Sequence, residues 1–292
     1  MLTQLLFQYA VYRVIYAGNT SPGETRSFYL LLAAGACIAA GGYIINDYFD
    51  LDIDQVNKPD RVIVNTIISR RWVILWHLIL SIVGMTLSFY AVPLIGYWPV
   101  VLGNIASVVL LVIYSTALKK KLLVGNVLIS LLTAWVIGVI FLSKIDLGEI
   151  GRHGPDARFS RLFRLTVLYM AFAFIISLVR EAVKDMEDME GDRKYGCRTM
   201  PIVWGLTAAK VFTGVWLAVL GAAVAIMILY VLQLGWWWSV VYCVVGIFIP
   251  LVWICRKLFD ARTPAEFHRL SSAIKLVMLA GIVSMIFVSL YH

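Results

Sequence analysis

Two clusters of acidic residues in this apolar chain have the composition and spacing of cation-binding sites. Together they contain ten of the chain's 17 acidic residues. In the first cluster, Asn46, Asp50 and Asp54 follow one another at every fourth position, which places them on one face of a helix. Carboxylates beside hydrocarbon are costly, so such a cluster indicates a functional site, usually one that holds cations.

The second cluster extends from Glu181 to Asp192, and it has a comparable spacing. We predict a second one-sided stripe on a helix, formed by Glu181, Asp185, Asp188 and Asp192, because these residues are three or four positions apart. Asp52 and Glu187 fall off the two stripes. We therefore expect those two carboxylates to be surface or supporting groups.

The composition is that of a polytopic membrane protein. The chain is 61% hydrophobic and only 14% charged. A span needs about 20 apolar residues, and we predict nine spans in a single domain covering residues 1–292. They lie at roughly 1–17, 27–46, 72–95, 98–118, 122–143, 163–184, 206–231, 236–255 and 271–290. The predicted fold is all-α, with about nine transmembrane helices around a central cavity that cytoplasmic loop segments cap.

The distribution of basic residues predicts the orientation. The net charge is +8, and Lys and Arg are concentrated in the segments that follow the acidic clusters, in the Lys119–Lys121 run and in the segment from Arg256 to Arg269. The positive-inside rule then places both acidic clusters in the cytoplasm. The mixed loop at roughly 144–162 weakens this bias without reversing it. The sequence has no basic stripe interleaved with aromatic residues outside the predicted spans, so we expect no nucleic-acid partner. The cysteines and histidines lack the spacing of a zinc site or a disulfide framework.

The clusters do not match a calcium loop. An EF-hand beginning at Asp50 requires Gly at its sixth position and Glu at its twelfth, where this chain has Gln55 and Arg61. A cation transporter is a second alternative, although transporters usually place single charges near the middle of the membrane. A non-catalytic scaffold is a third.

A diphosphate carried on Mg²⁺ fits dense carboxylates with interleaved cations better. Magnesium is usually bound by one or two carboxylates together with substrate phosphates. Two facing stripes would hold two such ions, and Lys184, Arg61, Arg193 and Arg198 would contact the remaining phosphate oxygens. Because the ligands are hard oxygens, Mn²⁺ is the expected substitute.

The motifs resemble those of the UbiA superfamily of intramembrane prenyltransferases. Asn46-Asp47-x-x-Asp50-x-x-x-Asp54 is similar to its first signature, and Asp188-x-x-x-Asp192 is similar to its second. The segments Tyr114-Ser115 to Lys119 and Gly125-Asn126 also resemble the family. Asn57 to Arg61 and Arg180 to Asp192 are most similar to the geranylgeranylglyceryl phosphate geranylgeranyltransferase branch. The first span lacks the family's Arg-x-x-Asn-like element, so we expect either that the reading frame is shortened or that the chain lacks this acceptor-side group.

The resemblance implies transfer of an isoprenoid chain, such as geranylgeranyl, from its diphosphate to a lipid-precursor acceptor such as geranylgeranylglyceryl phosphate. An aromatic or quinone-precursor acceptor is the alternative. The expected catalytic residues are Asp50, Asp54, Asp188 and Asp192, and the expected metal ligands are these four with Asn46, Asp47 and Asp185. The expected substrate contacts are Lys58, Arg61, Tyr114, Lys119, Glu181, Lys184, Lys194 and Arg198.

Overall fold

The computed structural model describes residues 1–16, 21–57, 59, 62–145 and 156–291. Within these ranges the chain is helical, and its one β-type contact is an isolated bridge between Val64 and Ile68. Helix α1 comprises Leu2–Leu6, a π-helical segment Phe7–Tyr12, and Arg13–Ile15. The next five helices are α2 Pro22–Asn57, α3 Arg70–Ala91, α4 Leu94–Thr116, α5 Val124–Leu142 and α6 Ala157–Glu187.

The second half of the chain begins with two short helices, α7 Met189–Lys194 and α8 Met200–Val203. The long helix α9 covers Leu206–Gln233. Helix α10 comprises Trp237–Cys243, a π-helical segment Val244–Phe248, and Ile249–Asp260. Helices α11 Pro264–Val283 and α12 Ile286–Leu290 complete the fold.

The predicted all-helical membrane bundle is confirmed. Among the described residues, eight helices are long and apolar enough to cross a membrane, and they coincide with eight of the nine predicted spans. The exception is α1, which extends only from Leu2 to Ile15. At 1.5 Å per residue this helix is roughly 21 Å long, which is less than the roughly 30 Å hydrocarbon core of a bilayer.

Local sequence signals set several helix starts. Ser21 Oγ accepts a hydrogen bond from the Glu24 amide at 3.2 Å, and the Glu24 carboxylate accepts one from the Ser21 amide at 3.4 Å. This reciprocal pair is a capping box, and it begins α2. Thr263 and Glu266 form the same arrangement at the start of α11. At α6, the Asp156 side chain accepts from the Phe159 amide at 2.6 Å.

Two apolar clusters form the core, and α6 passes through both. Leu162 and Tyr169 of α6 belong to the first cluster, which α1, α2 and α5 share. Ile176 and Val183 belong to the second, which also contains residues of α9, α10 and α11. Helix α6 therefore connects the two halves of the bundle, and its position fixes that of the acidic residues at its end.

Close helix contacts depend on small residues. A Cβ atom at Gly84 of α3 would lie 2.8 Å from Ile38 of α2. A Cβ atom at Gly103 of α4 would overlap the Trp135 ring of α5. Trp135 Nε1 donates a hydrogen bond to Asn104 Oδ1 at 3.2 Å. Gly103 therefore leaves room for the Trp135 ring in the position where it makes this hydrogen bond.

We expect Gly103→Ala to destabilise the protein because it displaces the Trp135 ring. Overpacking of this kind costs about 1–3 kcal/mol, which exceeds the gain in helix propensity of about 1 kcal/mol for replacing Gly by Ala. The measurement is thermal unfolding in detergent. Gly221→Ala is the matched control, because no described atom lies within 4 Å of a Cβ built there. Equal melting temperatures for the two variants would contradict the packing argument.

Candidate active site

The first acidic stripe lies on the last turns of α2, as predicted. Asn46, Asp47, Asp50 and Asp54 line one cavity of about 200 Å³. Asp52 is exposed, as expected for a residue off the stripe. The other walls of the cavity are Lys184 of α6 and the segment 62–64 that follows the first motif. The loop after α2 thus covers part of the cavity.

Hydrogen bonds fix the side chains of this stripe. Asn46 Nδ2 donates to Asp50 Oδ2 at 2.6 Å. The other Asp50 oxygen, Oδ1, contacts Lys119 Nζ. Asn46 Oδ1 is buried and accepts no hydrogen bond from any residue that the structure describes. A buried amide oxygen of this kind is normally satisfied by a donor or a cation, which here would come from beyond the described residues.

The second acidic cluster is not one continuous stripe, and our prediction of a single helix was wrong. Helix α6 ends at Glu187, and Asp188 (φ −93°, ψ 9°) connects it to the short helix α7. Asp192 is therefore carried on α7, where it is buried. Because Asp188 interrupts the 3.6-residue period, the residues of α7 do not continue the helical face of α6.

Side chains from α5 and from α6 itself hold the remaining polar groups of α6. Asn126 Nδ2, at the start of α5, donates to Asp185 Oδ2 at 2.8 Å. Glu181 is buried and accepts from Arg180 Nη1 at 2.6 Å. Lys184 lies within electrostatic range of Glu181, Tyr114, Asp188 and Asp50. Cations from α4's end and from α6 thus face carboxylates from both motifs.

Asn57, the last residue of α2, joins the two motifs directly. Its Nδ2 donates to the Asp188 carbonyl oxygen at 3.1 Å, and its Oδ1 accepts from the Gly191 amide at 2.9 Å. A Cβ atom at Gly191 would lie 2.6 Å from the Asn57 side chain. The close approach of α2 and α7 therefore depends on a residue without a side chain at 191.

Burial changes the titration of two site groups outside the spans. It raises the pKa of Asp192 to about 6, and the neighbouring charges of Asp188 and Asp50 add to this effect. Burial also lowers the pKa of Lys119, against the opposing effect of the Asp50 charge. A cation bound beside Asp192 would favour its ionised form.

The donor set fits Mg²⁺. In the described part of the chain, no three His, Cys, Asp or Glu side chains converge closely enough to hold a metal by themselves. Magnesium does not need such a group, because it keeps several waters and is bound by one or two carboxylates with substrate phosphates. Asn46 Oδ1 and the carboxylates of Asp47, Asp50 and Asp54 offer hard oxygen ligands around one cavity.

The structure does not bring every predicted contact to the cavity. Lys58 and Arg61 lie outside the described residues. Lys194 is exposed, with its ammonium 5.9 Å from the Tyr195 ring centre. The Arg198 side chain is also exposed, although its amide donates to the Lys120 carbonyl at 2.8 Å. The roles of these four cations stay predictions.

Three polar residues near the site were not among the predicted site residues. Asn126 and Asn57 contact the acidic motifs by the hydrogen bonds described above. His268 of α11 forms a 2.9 Å contact with Glu187, the residue predicted to be a supporting group. Their amide or imidazole groups lie 59 to 134 residues from their partners along the chain. Asn57 and Asn126 stand in segments that resemble the family, but the sequence did not identify their partners.

Comparisons with known proteins agree with this architecture. The model of the UbiA prenyltransferase family matches residues 5–281. The digeranylgeranylglyceryl phosphate synthase of Methanothermobacter thermautotrophicus is 38% identical over 63% of this chain and 59% of its own length. The synthase of the same name from Methanosphaera stadtmanae is 29% identical over 90% of this chain and 88% of its own length. The chain thus spans less than two thirds of the first of these relatives.

Solved structures share the fold. One, described as giving structural and mechanistic insights into the biosynthesis of digeranylgeranylglyceryl phosphate synthase in membranes, has a TM-score of 0.64 and 22% identity over 97% of this chain and 93% of its own. A UbiA homolog from Archaeoglobus fulgidus, bound to DMAPP and Mg²⁺, has a TM-score of 0.56 and 18% identity over 97% of this chain and 95% of its own. The family model covers nearly the whole sequence. The chain therefore belongs to the UbiA prenyltransferase family.

Proposed function

We propose that this protein transfers a prenyl group from its diphosphate to a lipid-precursor acceptor, in a reaction that requires Mg²⁺. The observation that carries the proposal is the cavity where three α2 carboxylates, the buried Asn46 oxygen and Lys184 meet. Carboxylates bind a metal ion, and cations bind phosphate oxygens. Their combination in one cavity therefore suits a metal-bound diphosphate better than a metal ion or a diphosphate alone. The Archaeoglobus fulgidus relative that binds DMAPP and Mg²⁺ supports this assignment.

The residues of the chain would share the work of ionisation. Mg²⁺, when bound by Asp50, Asp54, Asp188 and Asp192 with Asn46, Asp47 and Asp185 in support, would neutralise the leaving diphosphate. Lys184 and Lys119 would contact the phosphate oxygens that remain. The allylic C–O bond breaks with its electron pair staying on the diphosphate, the acceptor oxygen bonds to C1, and the acceptor's proton is released. Such electrostatic stabilisation of a leaving group is usually the largest catalytic contribution.

Helix α6 borders the polar site at one end and a small apolar cavity two turns earlier. Ile176, two turns before Lys184, lines a second cavity of about 50 Å³ with Tyr169 and Phe172. An apolar environment excludes water from a carbocation. Tyr114 and Glu181, within electrostatic range of each other beside Lys184, lie where they would contact the acceptor or orient the ligands.

The proposed acceptor is geranylgeranylglyceryl phosphate, and the proposed donor chain is geranylgeranyl. The names of the Methanothermobacter and Methanosphaera relatives support this choice. An aromatic or quinone-precursor acceptor is the alternative. The basic segments that follow both motifs support a cytoplasmic position for the site.

The proposed reaction is tested with the purified full-length chain in detergent. Prenyl diphosphates of several lengths are offered with glycerol-phosphate, phenolic and quinoid acceptors, and the product masses are read. We expect one prenyl group to be added to geranylgeranylglyceryl phosphate. EDTA should abolish the activity, and Mg²⁺ or Mn²⁺ should restore it, because hard oxygen ligands favour these ions. Full turnover in metal-free buffer would refute the metal requirement, and prenylation of aromatic acceptors alone would select the alternative.

We expect Asp50→Asn and Asp188→Asn each to reduce prenyl transfer by on the order of 10²–10³-fold, because each removes a charge from the diphosphate site. Asp52→Asn is the matched control on the same helix, since Asp52 is exposed and should cost far less. Rates are measured at saturating diphosphate and Mg²⁺, with thermal unfolding as the check on folding. The double variant should be far from additive, because both residues act on one diphosphate. If Asp52→Asn reduced the rate of prenyl transfer as much as Asp50→Asn, the one-sided arrangement would be ruled out.

We expect Asn57→Ala to loosen α7 because it removes both hydrogen bonds between the motifs. At about 0.5–1.5 kcal/mol for each bond, the loss of stability should be roughly 1–3 kcal/mol. Hydrogen exchange at the Gly191 amide should accelerate, and prenyl transfer should fall with it. Gln55→Ala, at an exposed position on the same helix end, is the control. Unchanged exchange at Gly191 would show that Asn57 does not hold α7.

A further inference from the structure

We propose that Lys119 competes with the divalent cation for Asp50, so that metal binds tightly only when a diphosphate draws the ammonium group away. The inference rests on the proposed function, because it concerns how the same site is loaded. It assigns Lys119 two successive partners: a carboxylate in the protein without substrate, and phosphate oxygens in the loaded protein. Lys119 would then make metal binding and diphosphate binding depend on each other.

The first step of the argument is that both carboxylate oxygens of Asp50 already have partners. Oδ2 accepts from Asn46 Nδ2 at 2.6 Å, and Oδ1 contacts Lys119 Nζ. The side chains of the ion pair are mostly buried, with 9% of Lys119 and 18% of Asp50 exposed. Each oxygen still has a second lone pair, so a metal ion that coordinates Asp50 would lie directly beside one of these two partners.

The ammonium is the partner that has to move. A divalent cation at Asp50 would stand close to Lys119 Nζ, and like charges repel strongly where water is scarce. Asn46 is neutral, and its own Oδ1 is an oxygen ligand without a hydrogen bond in the described structure, so its amide group can stay beside the metal. The charges of Asp54 and Asp47 also act on Lys119, but a metal ion bound by these carboxylates would neutralise them. The displaced ammonium would then be a buried charge without a partner, which is strongly destabilising.

A diphosphate supplies the missing counter-charge. The lysine side chain is a compact charge on a flexible four-carbon stem, so its ammonium can change partners without a backbone movement. The backbone itself is held: a Cβ atom at Gly125 would lie 2.9 Å from Lys119 Cα, and the Arg198 amide donates to the Lys120 carbonyl at 2.8 Å. Only the side chain of Lys119 is therefore expected to move between Asp50 and a phosphate oxygen.

Thermodynamic linkage makes the effect reciprocal. If the diphosphate raises the affinity for metal by a given factor, metal raises the affinity for diphosphate by the same factor. Removal of the Lys119 charge should weaken this dependence, because Asp50 is then available to metal without a diphosphate. The expected direction is unusual for a site residue, since deleting a cation increases the binding of metal alone.

The test measures Mn²⁺ binding by equilibrium dialysis of the full-length protein in detergent, with empty micelles as the blank. It is done with and without a prenyl thiolodiphosphate, an analogue that resists ionisation, at equal free concentration on both sides. Without the analogue, Lys119→Met and Lys119→Gln should bind Mn²⁺ at least about fivefold more tightly than the unmodified chain. Lys119→Arg keeps the charge and should resemble the unmodified chain. Lys121→Met, at an exposed position in the same run, should also leave affinity unchanged.

The outcomes separate the two proposals. Tighter binding in the neutral variants, with a smaller gain from the analogue, supports the competition. Equal or weaker binding in folded Lys119→Met and Lys119→Gln overturns it and leaves the proposed function in place. An analogue that fails to raise Mn²⁺ affinity in the unmodified chain overturns it as well. Absence of Mn²⁺ binding in every variant, even with the analogue, would instead refute the proposed metal-dependent function.

Discussion

The pairing of buried carboxylates at the ends of apolar helices determines how the rest of this structure is arranged. An ionised carboxylate removed from water is stable only with a counter-charge or hydrogen-bond donors. Asp50 obtains Lys119 from the turn after α4, and Asp185 obtains Asn126 from the start of α5. Each of these two contacts joins a carboxylate to a segment outside its own helix. The requirement brings the ends of α2, α4, α5 and α6 to the same end of the bundle, and it makes the site and the fold depend on each other.

Local periodicity in the sequence was sufficient to predict much of the fold and the position of the first acidic stripe on its helix. Eight spans were predicted at the positions of observed membrane-length helices, because about 20 consecutive apolar residues have few other stable arrangements. Their ends were less accurate, since the helix predicted at 27–46 covers Pro22–Asn57. The stripe of Asn46, Asp50 and Asp54 was predicted correctly because α2 continues unbroken to Asn57. Such predictions need only the residues within one helix, and no knowledge of its neighbours.

The features that the sequence did not reveal depend on contacts between distant segments. The break at Asp188 was not predicted, because neither Gly nor Pro occupies that position. The Asp188 carbonyl and the Gly191 amide are instead held by hydrogen bonds to Asn57, which lies on α2. Asn126 stands in a segment that resembles the family, but its partner Asp185 could not be identified from spacing alone. The π-helical middle segment of α1 was not predicted.

The contact between Asn57 and Gly191 has a consequence for how this sequence can change during evolution. The space beside Gly191 is filled by the Asn57 side chain, so even a methyl group there would displace the amide that joins α2 to α7. A shorter residue at 57 would make room for a larger residue at 191, but it would give up the two hydrogen bonds. These positions, 134 residues apart, form one mutational unit. Substitutions at either position should be accepted among relatives only in matched pairs, so positions 57 and 191 should covary in aligned sequences of the family.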